Sequence, residues 1–172
     1  MNSSDFSYDL PPELIAQAPP QERGQSRMLV IHRASGRIER KRVDDLPDYL
    51  RRGDILALNN TRVIPARIFG KRDDTGGRVE LLLLEEQGGS GVWDALCKVS
   101  ARPRPGMRFT LANGALAAEI VAVGNEGRVS IAISGERPVI EILEEEGFAP
   151  LPPYIKRTSG ESDIMKSDRE RY

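Results

Sequence analysis

Apolar positions follow two different rhythms along this chain. In the first third they come as short blocks. Met28, Leu29, Val30 and Ile31 form one such block, the turn residues Ala34, Ser35 and Gly36 follow, and residues 37–43 make a plausible partner strand, so a hairpin is expected. Asp44 then caps a short helix through Leu50, with Leu46, Tyr49 and Leu50 on one face and Pro47 tolerated in the first turn. After Gly53, Ile55, Leu56, Ala57 and Leu58 read as a short buried strand. The order strand, strand, helix, strand over 27–64 predicts the start of an α/β domain. Residues 1–26 are polar and broken by Pro11, Pro12, Pro19 and Pro20, which leaves room for one helical turn near 13–17.

From Ala66 the rhythm becomes strict alternation punctuated by turn residues. Six stretches, 66–72, 78–86, 92–99, 107–111, 116–123 and 128–134, have strand length and composition, with glycine-rich or Asn-Gly turns between them. This predicts a small antiparallel β-barrel or sandwich. In the third stretch Trp93, Ala95 and Cys97 make the better core face. Pro138 opens a helix with Val139, Ile142 and Leu143 at helical spacing, and Gly147 stands where its end belongs. The extended segment Pro150, Leu151, Pro152, Pro153, Tyr154, Ile155, Lys156, Arg157 displays an aromatic and two cations, and fits a linker, a ligand-docking strand or a return path from an inserted domain.

The stretch that breaks the apolar pattern most sharply is Asn59, Asn60, Thr61, Arg62, which sets two amides, a hydroxyl and a guanidinium at the carboxyl end of the expected strand. Open α/β sheets carry their ligand sites there. The competing reading is an Asn-rich turn in which the amides satisfy local backbone groups.

Charge sharpens the division into two parts. The whole chain is nearly neutral, at -1, but residues 1–72 hold 13 Lys/Arg against 9 Asp/Glu, whereas 73–150 hold 7 against 13. A nucleic acid would prefer the first part, although a modest excess also describes ordinary solvated surface. The cluster Arg40, Lys41, Arg42 can meet phosphate or discourage edge pairing. One cysteine, Cys97, and one histidine, His32, exclude an internal disulfide and a Cys/His metal site, so no metal is expected. No apolar run reaches membrane-spanning length and the first residues lack the order of a secretory signal, so no membrane partner and a cytoplasmic location are expected. No glycine-rich nucleotide fingerprint, P-loop, nucleophile elbow or triad is present. Residue chemistry alone reaches a polar strand end, a basic first part and a β-rich second part, without a reaction.

Several stretches together resemble the S-adenosylmethionine:tRNA ribosyltransferase-isomerase family of queuosine biosynthesis. They are Asp5-Phe6 with Tyr8-Asp9-Leu10-Pro11-Pro12-Glu13-Leu14-Ile15-Ala16-Gln17, then Gly53-Asp54 leading into Leu58 through Arg67, Gly76-Gly77 before Val79-Glu80-Leu81-Leu82-Leu83, Pro150 through Arg157, and finally Asp168, Glu170, Arg171 and Tyr172. The resemblance implies a transferase. It moves the ribosyl part of S-adenosylmethionine, a co-substrate, onto 7-aminomethyl-7-deazaguanine at the wobble position of a tRNA anticodon loop and isomerises it, giving epoxyqueuosine. It further implies substrate-binding roles for Asn59, Asn60, Thr61, Arg62, Arg67, Tyr154, Lys156, Arg157, Arg171 and Tyr172, with no catalytic base assigned.

On that resemblance the architecture is a discontinuous α/β domain with an inserted antiparallel β-barrel. Residues 1–66 form its first segment, 67–149 the barrel, and 150–172 a truncated return. Family members continue well beyond this length, so the chain is similar to an amino-terminal portion, expected to be inactive alone. A different class, a non-catalytic tRNA- or RNA-binding module, remains open on the residues; the acidic middle part counts against its barrel as the gripping surface.

Overall fold

The computed structural model describes residues 2–157, 167–169 and 171. Two compact units emerge. One comprises residues 1–61 with 153–157, the other residues 62–152 with 158–172.

The second unit is built around a closed antiparallel barrel of six strands: β3 (Arg67–Arg72), β4 (Arg78–Glu86), β5 (Val92–Val99), β6 (Arg108–Leu111), β7 (Leu116–Val123) and β8 (Arg128–Gly135), in the spatial order β3-β4-β5-β8-β7-β6 with β6 returning to β3. Alternation is what makes these residues strands. In β4 Val79, Leu81 and Leu83 point inward between Arg78, Glu80 and Leu82, and β7 and β8 repeat the pattern through Leu116, Ala118, Ile120 and Val129, Ile131, Ile133. Phe109 and Leu111 on β6 are fully buried. The strands match the sequence expectation to within a residue at their ends, and Trp93 and Ala95 face the core as expected, with Cys97 half-buried beside them.

Closing six strands demands curvature. Register shifts between Leu83 and Glu85 in β4–β5, and between Ile120 and Ala122 in β7–β8, supply it by leaving Leu84 and Val121 outside the ladder. The seam β3–β6 is the shortest pairing, Gly70↔Leu111, Lys71↔Thr110 and Arg72↔Phe109. A Cβ on Gly70 would lie 2.3 Å from the Thr110 carbonyl oxygen, so only glycine lets the two strands approach.

Helix α1 (Val139–Glu146) covers one end of the barrel with Ile142 and Leu143. Its C-terminal Gly147 adopts extended backbone, not a left-handed cap. Glycine is required because a Cβ would fall 2.0 Å from the Pro65 carbonyl oxygen. Beyond it Phe148 exchanges two backbone hydrogen bonds with Arg67, at 3.2 and 2.8 Å, and its ring meets Phe69 edge-on at 5.0 Å.

The first unit contains one hairpin, β1 (Arg27–Ile31) and β2 (Ile38–Arg42), joined by a turn in which the His32 amide donates to the Arg37 carbonyl and Gly36 takes a positive φ of 70°. Three short 3₁₀ turns accompany it, at Ser3–Phe6, Pro12–Leu14 and Val43–Tyr49. Two expectations are corrected here. The short helix expected over 44–50 is a 3₁₀ turn over Val43–Tyr49, because Pro47 and a span of only seven residues leave too few i→i−4 bonds for an α-helix. The expected strand 55–58 is not a strand. Ile55 is 95% exposed and Leu58 78%, since among the described residues no neighbouring strand pairs with them. The described chain is therefore mostly β with few helices, and an α/β sheet is not assembled within it.

Two substitutions separate seam from core. Gly70→Val drives a branched side chain into the Thr110 backbone and is expected to destabilise the barrel by at least about 2 kcal/mol, whereas Phe109→Ala is expected to cost about 3–5 kcal/mol through its cavity. Urea unfolding followed by Trp93 fluorescence reports both.

Candidate functional site

In the first unit Gln17 organises the candidate residues. Its side-chain NH2 donates to the Tyr154 carbonyl at 3.0 Å, and its carboxamide oxygen accepts from the Lys156 amide at 2.8 Å. One side chain thus imitates a strand partner for the extended, proline-rich segment, which needs an external partner because its prolines cannot build a ladder. Arg157 seals the arrangement by donating to the Gln17 carbonyl at 2.9 Å. The backbone of 154–157 is held while the Tyr154 ring stays more than half exposed. Asn59, Asn60 and Thr61 lie in the same unit. The Asn59 side-chain oxygen accepts from the Thr61 amide at 2.8 Å, the local turn bond that asparagine favours, and the Asn60 and Thr61 side chains remain exposed.

The other candidates belong to the second unit. Arg62, exposed, ion-pairs with Glu144 at 3.4 Å. Arg67 is more enclosed: it donates to the Leu151 carbonyl at 3.3 Å and lies 3.4 Å from Glu80, while its buried Nε lacks a hydrogen-bond partner. Arg67 therefore ties β3 to the segment leaving α1. Arg171 is half-buried in this unit, and Tyr172 lies outside the described residues.

A cleft of about 50 Å³ gathers Arg62, Val63, Pro65, Glu144, Ala149 and Arg169. Arg169 donates to the Glu144 carbonyl at 3.2 Å and to the Gly147 carbonyl at 2.7 Å. It satisfies carbonyls that the end of α1 leaves open and offsets the unfavourable Glu144, Glu145, Glu146 run there. A larger cleft of about 600 Å³ runs from Gly114 to Ile142, with Arg137 as a cation. That guanidinium is held by Glu145 at 2.6 Å and by Glu141 at 3.3 Å. The hydrogen bonds raise its pKa further and keep the Glu145 carboxyl below the usual range.

Sequence reasoning missed Gln17 as an organiser and Arg169 altogether. Nothing local marks Gln17, whose partners lie far along the chain. Arg169 could have been sought as a cation near the acidic end of α1. Two residues with chemical potential prove structural. His32 hydrogen-bonds Glu39, which Arg37 also meets at 2.7 Å, so the Glu39 carboxyl titrates below the ordinary range, first through the His32 bond. Burial pushes the Cys97 thiol up to about 11, which keeps it protonated and a poor nucleophile at neutral pH. Among the described residues no group of three His, Cys, Asp or Glu side chains is placed to hold a metal ion, and no helix is long and apolar enough to cross a membrane.

The sequence profile of the family described as queuosine biosynthesis protein matches residues 3–172. The chain is 41% identical over all 172 residues to the S-adenosylmethionine:tRNA ribosyltransferase-isomerase of Acetivibrio thermocellus, covering 50% of that protein. It is 46% identical over 155 residues to the enzyme of the same name from Symbiobacterium thermophilum, covering 90% of this chain and 45% of the relative. The crystal structure of S-adenosylmethionine tRNA ribosyltransferase from Thermotoga maritima is 31% identical, with a TM-score of 0.38, over 88% of this chain and 52% of that one. The chain spans about half the length of the curated relatives it matches.

Two measurements follow from the geometry. In Gln17→Ala the Lys156 amide loses its acceptor, and its hydrogen exchange is expected to accelerate by about fivefold, the equivalent of roughly 1 kcal/mol; unchanged exchange would mean that the carboxamide does not hold the segment. Alkylation of Cys97 by iodoacetamide at pH 8 is expected to run about 100-fold slower in the native chain than in the unfolded one, following the rise from 9.0 to about 11.

Proposed function

The chain belongs to the queuosine biosynthesis protein family, and on that premise we propose that it forms the amino-terminal part of an S-adenosylmethionine:tRNA ribosyltransferase-isomerase. The observation that carries this reading is 41% identity, from the first residue to the last, with a protein of that name.

The reaction transfers the ribosyl moiety of S-adenosylmethionine to the aminomethyl group of 7-aminomethyl-7-deazaguanine at the tRNA wobble position and isomerises it to the epoxycyclopentanediol of epoxyqueuosine, releasing adenine and methionine. Such chemistry needs a base for the proton acidified by the sulfonium, groups that hold adenine as it leaves, and an anticodon loop whose target base is unstacked. Asn60, Thr61 and Arg62 offer amide, hydroxyl and guanidinium groups suited to base edges and to the methionine carboxylate. Tyr154 offers a face for stacking, and Lys156, Arg157 and Arg171 offer cations for phosphate. Arg67 acts by holding β3 against the segment that leads to Tyr154. No metal is required by this scheme, and the working compartment is the cytoplasm, where tRNA is found.

In this reading residues 1–66 and 150–172 belong to one α/β domain that the barrel, 67–149, interrupts. The bonding of Gln17 to residues 154–157 supports it. So does the exposure of Ile55 and Leu58, an apolar run suited to a strand whose neighbours come from the further sequence that relatives possess.

The test is adenine release from S-adenosylmethionine in the presence of precursor-containing tRNA. This chain alone is expected to show no turnover. Extended by the remaining half of the Acetivibrio thermocellus relative, it is expected to turn over, and Arg62→Ala in the extended protein to lose about 10- to 100-fold in kcat/KM, as for a hydrogen bond to a charged group. An inactive extended protein that folds would defeat the assignment. Turnover by the 172-residue chain would defeat the claim that the site is shared with further sequence.

A further inference from the structure

The hairpin of the first unit presents one face with no counterpart among the described residues. Residues at alternate positions of β1 and their cross-strand partners share it: Arg27 opposite Arg42, Leu29 opposite Arg40, Ile31 opposite Ile38. All six are exposed, with Leu29, Ile31 and Ile38 at 60–64%. The face is cationic at one end and aliphatic at the turn end.

Its charge is out of balance. Between residues 27 and 42 the sequence holds Arg27, Arg33, Arg37, Arg40, Lys41 and Arg42 against Glu39 alone. Glu39 is already engaged by His32 and Arg37. Among the described residues, none of the ion pairs involves Arg27, Arg40 or Arg42. Like charges directly opposite each other in a ladder destabilise it. Arg27 and Arg42 are nevertheless directly opposite, and the pairing is carried past them: the Val43 amide donates to the Ser26 carbonyl and the Asp44 amide to the Gly24 carbonyl. A Cβ on Gly24 would displace the exposed Asp44 carboxylate, which packs over this end of the hairpin. The backbone register thus sets three arginines on one exposed face, two of them directly opposite each other, and a polyanion is the partner that complements this charge.

We propose that this face docks the ribose-phosphate backbone of RNA. Arg27, Arg40 and Arg42 take phosphates, for which the planar guanidinium fork is suited, and Leu29, Ile31 and Ile38 lie against the apolar faces of neighbouring riboses and bases. The inference rests on the tRNA substrate of the preceding reading and names the surface that holds it. Both strands of this two-stranded hairpin are free edges, where cations also discourage edge pairing; that use does not call for the exposed Leu29, Ile31 and Ile38 that share the face with them.

The test is binding of tRNA to the 172-residue chain across a salt series, by fluorescence anisotropy. In the triple variant Arg27→Gln, Arg40→Gln, Arg42→Gln the slope of log K against log salt is expected to shrink by about 2–3, because each phosphate left without its cation removes roughly 0.7–0.9 from it. The affinity at low salt is expected to fall by at least about tenfold. The charge-preserving triple Arg→Lys variant is expected to recover the slope, and Arg102→Gln with Arg104→Gln, on a barrel loop, to leave it unchanged. Wild-type binding that the Gln variant matches overturns the docking face while leaving the transferase assignment standing, since adenine release by the extended protein tests that separately. Equal loss in the Gln and Lys variants, or no salt-dependent binding by the wild type, also overturns it. So does self-association abolished by Leu29→Ser and Ile31→Ser without effect on tRNA, which would make the occupant a second copy.

Discussion

A backbone amide or carbonyl removed from water must find a partner, and in this chain that requirement decides which apolar segments become structure. The six strands of the barrel meet it by pairing each strand on both sides, because the short seam between β3 and β6 turns an open sheet with two raw edges into a ring. Gly70 makes the seam possible, the bulges at Leu84 and Val121 supply the bend, and the interior then fills with Phe109, Leu81, Ile131 and their neighbours. Where the requirement cannot be met the outcome is different. Ile55 and Leu58 are as apolar as any residue of the barrel, yet they stay exposed, since apolar character without a hydrogen-bonding neighbour does not make a strand.

This contrast explains how much could be read from the residues. Period-two alternation in β4, β7 and β8 is a local property, and turn glycines mark its limits, so the barrel strands were legible almost to the residue. The segment 55–58 has the same local composition, but its fate depends on partners that composition does not name. The polar positions divide in the same way. Asn59 bonding the Thr61 amide is a short-range habit of asparagine and could be anticipated. Gln17 reaching Tyr154 and Lys156, or Arg169 reaching Glu144 and Gly147, spans chain distances over which no local pattern carries information.

Electrostatics follows a similar division between what is settled locally and what is held in reserve. Three of the four α1 carboxylates have cationic partners: Arg137 engages Glu141 and Glu145, Arg62 engages Glu144, and Arg169 answers the helix carbonyls. On the hairpin, Glu39 is saturated and the remaining arginines are not. Balanced charge contributes to a fold, while unbalanced charge held by a rigid ladder is available to a ligand. The acidic middle of the sequence and its basic beginning differ in this use, beyond their difference in sign.

The double hydrogen bond between Arg67 and Phe148 brings the first strand of the barrel and the segment that follows α1 to adjacent positions in space. To the chain on either side, everything between those two residues therefore occupies the span of a single bridged pair. Loop-closure entropy, which rises only logarithmically with length, is offset inside the barrel by its own core. Lengthening a hairpin loop such as that around Gly88 and Gly89, or exchanging the module for another whose ends meet at the same separation, leaves the geometry seen by Ile64 and Ala149 unchanged. The barrel can in this sense vary in size and surface while the separation of its two ends stays fixed.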